Sequence, residues 1–220
     1  MTTWLTDGTA LLLKTVDGLS DAELHEPSAL PGWTRRHLLA HVALNAEALA
    51  RLVSWARTGV ESRMYRSAEQ RNADIESGAR ISVSELREWV HSSVTGLAAD
   101  LATLPEDAWS MPVATAQGRR VPATEIPWMR AREVNIHAID LGTGLGFADL
   151  PDGFCPELVG DIAHTRSGTG PALVLASGGR EWQVAGTGEP TRVELAMSEM
   201  AAWLAGRHDR PDLPELPKWL

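Results

Sequence analysis

The stretch Trp128-Met-Arg-Ala-Arg-Glu-Val-Asn-Ile-His-Ala-Ile-Asp-Leu141 decides how this chain is read. It contains no proline or glycine and reads as helix. Glu133 and His137 are four residues apart, so both side chains project from one face, one turn apart. Neither residue type is buried readily unless its polar atoms are satisfied. A carboxylate and an imidazole at this spacing can grip one metal ion. They would supply two of the three protein ligands of a catalytic zinc, whose fourth position stays open for chemistry.

Histidines on a second helix offer the third ligand. Thr34 is a good N-cap, and Arg35 to about Arg57 reads as a long helix with Leu38, Val42, Leu49, Leu52 and Val53 inward. His37, His41 and Asn45 share one face of it. His41 lies among apolar residues in mid-helix, while His37 sits nearer the N-terminus and is expected to be solvated. Facing helices of a bundle build metal sites in this way. The competing reading makes His41 a core histidine with a backbone partner and pairs Glu133 with Arg130 or Arg132. Spacing alone leaves both open.

Outward from these two helices, the first 142 residues read as helical. Thr6 to Leu19 carries Leu11, Leu12, Val16 and Leu19 on one stripe. Ser20-Asp-Ala-Glu23 and Ser82-Val-Ser-Glu85 are capping boxes, the second opening a helix to about Leu104. A turn near Gly118 joins short extended pieces, and Thr124 is expected to cap the helix of Glu133. Four long helices with short connections predict an antiparallel bundle. Gly142 to Gly146 reads as a linker. Beyond it come a helix from Pro156 to about Thr165, strands Ala172–Ala176 and Glu181–Ala185 joined at Gly178-Gly179, a third strand over Thr191–Leu195, and a helix from Ser198 to Gly206. The expected class is α+β: a bundle over residues 1–146 and a small α+β domain over 147–220.

Composition narrows the function. The 220 residues are 44% hydrophobic, enough for a sizeable core. The net charge of −9 argues against nucleic acid and anionic membrane as partners. No apolar run approaches a membrane span, and the N-terminus shows no signal peptide. Cys155 is the only cysteine, which excludes an internal disulfide and fits the cytoplasm. It is read as a small apolar residue in a loop.

Three segments carry a family resemblance. Pro31-Gly-Trp-Thr34 with Leu39-Ala-His41 resembles the opening signature of the mycothiol-dependent maleylpyruvate isomerases, a branch of the DinB-like four-helix metalloproteins. Arg132-Glu133-Val-Asn-Ile-His137-Ala-Ile-Asp140-Leu-Gly142 resembles the second signature, and Ala202-Trp-Leu-Ala-Gly-Arg207 resembles the close of the C-terminal domain.

The resemblance implies a DinB-like bundle followed by a sterol-carrier-like domain, and a zinc held by His41, Glu133 and His137. It also implies that the zinc binds the thiol of mycothiol, a small sugar–inositol thiol. The thiolate would add to the cis double bond of maleylpyruvate, allow rotation, and leave to give fumarylpyruvate, a step of aromatic catabolism. A dicarboxylate substrate needs cationic anchors, and arginine suits them. Arg71 and Arg207 lie in segments that match the family and are the expected catalytic pair, with Arg207 also expected to bind the thiol cofactor. Asp140 is either an acceptor that orients His137 or a surface ion-pair partner. A monomer is expected. The same site could instead serve a mycothiol-dependent S-transferase or lyase, or a non-catalytic thiol- or metal-binding stress protein.

Overall fold

The computed structural model describes residues 3–217. These fall into two compact units that part between Gly144 and Leu145.

The first unit is helical. Its four long helices are α1 (Thr3–Gly18), α3 (Arg35–Thr58), α5 (Val83–Ala102) and α6 (Ile126–Asp140), with short α2 (Asp21–Leu24) and α4 (Ala68–Gly78) between them. Helix α3 is the axle: α4, α5 and α6 all pack on it, and α1 packs on α6. Its apolar residues line several faces, so Leu38, Leu39, Val42, Leu49, Leu52 and Val53 are all buried. A helix buried on several faces in this way must be surrounded by others.

Local chemistry sets the helix ends. Ser20 and Ser82 form the expected capping boxes with Glu23 and Glu85. Thr34 caps α3 through an unexpected partner. The His37 ring takes the glutamate role, its Nδ1 lying 2.7 Å from Thr34 Oγ1 and 3.2 Å from Thr34 N. His37 is therefore a half-buried cap residue rather than a solvated one. Thr124 does not cap α6. It lies in a 3₁₀ turn over Ala123–Glu125, and Pro127 in the first turn of α6 starts that helix instead. A short hairpin, β1 (Pro112–Ala114) with β2 (Arg120–Pro122), occupies the expected turn region.

Helices α1 and α6 meet closely at Gly8. A Cβ there would lie 2.2 Å from the Asn135 side chain. The Asn135 amide donates to Trp4 O at 3.0 Å, which ties the two helices together.

The second unit is α+β. Helix α7 (Phe154–Arg166) precedes β3 (Pro171–Ser177), β4 (Arg180–Val184), β5 (Thr187–Glu194) and α8 (Met197–Leu204). The sheet order is β4-β3-β5. Strand β4 is antiparallel to β3 across the Gly178-Gly179 turn, whereas β5 runs parallel to β3. The chain reaches the far side of β3 by passing against its start at Gly186, where a Cβ would lie 2.5 Å from the Pro171 carbonyl carbon. Only glycine allows that approach. Cys155 sits in the first turn of α7, not in a loop, because the helix begins two residues earlier than the proline suggests. Proline is tolerated there, where helical N–H groups have no partner. No helix among the described residues is long and apolar enough to cross a membrane.

Candidate metal centre

Helices α3 and α6 bring His41, Glu133 and His137 to one point. Their ligand atoms all lie within 4.8 Å of one another. His41 Nε2 is 3.0 Å from Glu133 Oε2 and 3.1 Å from His137 Nε2, and His137 Nε2 is 3.2 Å from Glu133 Oε2. Bonds of about 2.0–2.2 Å at tetrahedral angles set ligand atoms about 3.3–3.6 Å apart. The triangle is a few tenths of an ångström tighter than that, so small side-chain shifts admit an ion. Two imidazoles and a carboxylate are also a donor set that zinc favours. The residues present fit the metal.

The surroundings fix each ligand. Both histidines are buried. Asp140, fully buried one turn along α6, lies 2.9 Å from His137 Nδ1. It accepts a hydrogen bond from Nδ1–H, so Nε2 is the ring atom turned toward the cluster. The His41 ring stands edge-on to His137, centroids 4.9 Å apart, and Trp33 leans on its other side at 5.6 Å. Arg130 is fully buried one turn before Glu133. It does not pair with Glu133 as one reading of the sequence allowed. Its Nη1 donates to Val42 O at 2.9 Å and to Asn45 Oδ1 at 2.8 Å, which locks α6 to α3.

Electrostatics follow from this packing. Burial pulls His137 down, but its bonds to Asp140 and Glu133 outweigh burial and hold it up at about 9. Burial dominates at His41 and lowers it. Burial pushes Glu133 up, yet the hydrogen bonds from both rings hold it well below the usual carboxylate range. Without metal, the cluster is thus a carboxylate, a neutral His41 and a protonated His137.

Arg71 joins the cluster from α4. Its Nη2 is 3.2 Å from His41 Nδ1, and its guanidinium lies over the Tyr65 ring at 5.6 Å. Tyr65 comes from the loop after α3 and carries no periodic signal in the sequence. Arg207 belongs to the second unit. It follows Gly206, whose φ of +69° ends α8, and its Nη1 donates to Ala205 O at 2.9 Å. Cys155 is buried and burial pushes its thiol up to about 11, which removes it as a nucleophile.

The profile of the mycothiol maleylpyruvate isomerase N-terminal domain matches residues 5–142. The chain belongs to the mycothiol-dependent maleylpyruvate isomerase family. A crystal structure of the mycothiol-dependent maleylpyruvate isomerase is 38% identical, superposes with a TM-score of 0.92, and is matched over 99% of this chain and 95% of its own. A histidine-to-alanine mutant of the isomerase matches at the same identity and coverage with a TM-score of 0.91. No curated protein sequence matches.

Proposed function

We propose that the protein is a mycothiol-dependent isomerase that converts maleylpyruvate to fumarylpyruvate, with a zinc ion held by His41, Glu133 and His137. The observation that carries this reading is the convergence of those three side chains, within 4.8 Å, inside a bundle of this family. A zinc ion bound there would keep a coordinated thiol as its nucleophilic thiolate.

The chain's own residues supply the rest. Asp140 holds His137 in the tautomer whose Nε2 can donate its lone pair. Glu133 contributes one negative charge. Burial of both imidazoles keeps bulk water from competing for the cluster. The reaction needs the thiol sulfur to add to one carbon of the cis double bond, rotation about the single bond that results, and loss of the sulfur as the trans bond forms. The thiol is regenerated, so atoms balance without a further reactant.

Arg71 is proposed as a carboxylate anchor. A guanidinium only donates hydrogen bonds, so it now faces an unprotonated His41 Nδ1. An imidazole that coordinates through Nε2 carries its proton on Nδ1, and Arg71 then loses that acceptor and is free to take a substrate carboxylate. Arg207 is proposed as the second anchor and as a contact for the thiol cofactor.

Purified protein tests the proposal directly. Maleylpyruvate should be consumed only when mycothiol is present, and chelation should stop turnover until zinc is restored. Turnover without mycothiol, or turnover undiminished by metal removal, overturns the reading.

A further inference from the structure

The bundle unit also holds a cavity of about 640 Å³ beside the cluster. Small-molecule sites occupy roughly 300–1,000 Å³, so it is large enough for a ligand. It is lined by Leu44, Glu47 and Arg51 of α3, by the loop after α3, and by Gln70, Arg71 and Asp74 of α4. Arg71 and Tyr65 are among its lining residues. The same Arg71 touches His41, so one side chain links the cavity to the metal cluster.

Resting on the isomerase reading, we propose that this cavity seats the sugar–inositol part of mycothiol, leaving the cysteine sulfur at the His41–Glu133–His137 cluster.

The lining chemistry favours that occupant over the substrate. Apart from Arg71, which is assigned to the substrate, three carboxylates (Glu47, Glu61 and Asp74) stand among three guanidiniums (Arg51, Arg63 and Arg66). A dicarboxylate gains nothing from three acids, which repel it. A neutral polyol uses both signs, since each hydroxyl donates to a carboxylate and accepts from a guanidinium. Two of the acids are held in place in advance. Gln70 Nε2 donates to one Asp74 oxygen at 2.7 Å, and Trp89 Nε1 donates to one Glu47 oxygen at 2.6 Å. Each keeps its second oxygen for a ligand. The length fits as well: from Leu44 to Arg51 helix α3 rises about 10 Å, the span of two six-membered rings end to end.

Calorimetry on zinc-loaded protein tests the assignment, with mycothiol and with N-acetylcysteine, which has the thiol but neither ring. Wild-type protein should bind mycothiol more tightly. Asp74→Ala and Arg66→Ala should each raise the mycothiol Kd about tenfold, the loss expected for a hydrogen bond to a charged group, and so erode the preference for mycothiol over N-acetylcysteine. The sugar–inositol fragment without cysteine should compete with mycothiol for the wild-type protein. An unchanged mycothiol Kd in both variants, or equal weakening of both thiols, overturns the subsite while leaving the isomerase reading intact. Wild-type protein that binds no mycothiol overturns both.

Discussion

The two units of this chain treat polar groups differently. In the bundle, Arg35, Arg36, His41, Asn45, Arg130, Asn135, His137 and Asp140 are buried, whereas in the second unit the buried polar side chains among the described residues are Arg166 and Ser177. Burying such groups costs free energy unless each finds a partner. Several of the bundle's polar residues serve structure: Arg35 donates to Leu141 O at 2.6 Å, and Arg130 bridges α6 to α3. The exception is the trio His41, Glu133 and His137, whose polar atoms meet chiefly one another. Packing alone does not require three ionisable groups to share one point, so the contrast supports the proposal that the chemistry lies in the bundle.

The largest test of that contrast removes a ligand. His41→Ala or His137→Ala should strip the metal and abolish thiol-dependent turnover while helical circular dichroism persists. Retention of zinc by either variant, measured on purified protein, would break the assignment of the centre to the bundle.

The next test asks whether the second unit contributes to chemistry at all. Arg207→Ala should lower kcat/KM by about 10- to 100-fold, the range for losing a charge-assisted hydrogen bond, with zinc content unchanged. Wild-type kinetics in that variant would confine the active groups to the bundle.

A comparable effect, on metal affinity rather than on turnover, is expected at Asp140. Asp140→Asn keeps the shape but weakens the hold on the His137 tautomer, and zinc affinity should fall about 10- to 100-fold. Competition with a chromophoric chelator reads this out. Unaltered affinity would make Asp140 a packing residue.

The sequence reveals these units unevenly. Helices α3 and α6 are legible because apolar spacing and stop signals agree, but spacing leaves the pairing of His41 with Glu133 and His137 open, and the family resemblance is what singles out that trio. Helix α4 escapes notice because it is largely exposed: Ile75 and Gly78 are its buried residues, so no apolar stripe announces it. Its one clue is Ser67, whose hydroxyl accepts from Gln70 N at 3.1 Å. Without α4, the contact between Arg71 and His41 cannot be foreseen, and neither can the cavity that α4 walls. Tyr65 lies in a loop and has no signal. Strand β5 starts four residues before the expected Thr191 because its first six residues are exposed and follow no alternation. The Thr124 cap fails for a different reason. Pro127 two residues into α6 sets that start independently of any side-chain cap, so a good capping residue nearby goes unused.

The finest test uses the proton that the bundle stores. In the metal-free protein, Asp140 and Glu133 hold His137 at about 9, so at neutral pH the ring is protonated, while His41, lowered by burial, is not. A metal ion must displace the His137 proton before it can bind. At pH 7 one proton should be released per zinc, and release should vanish as pH rises past about 9. Apparent affinity should then rise about tenfold per pH unit between 7 and 9 and level off above. The stability of the metal-free protein should run the other way. A group whose folded pKa is raised contributes stability that is complete below its unfolded value, about 6.5, and lost as pH climbs through the folded one. Glu133 is ionised throughout that window, and His41 offsets part of the change only near 6.5, where its unfolded ring still binds a proton, so above about pH 7.5 His137 alone drives the change at the cluster. The chelated protein should therefore melt at progressively lower temperature from pH 6.5 to 9, while zinc raises the melting temperature by a growing margin over the same range. Calorimetry in buffers of different ionisation enthalpy counts the proton, and thermal scans with and without chelator give the two slopes. Parallel slopes with no proton release would mean that His137 is not displaced by the metal, and the centre would have to be built from other groups.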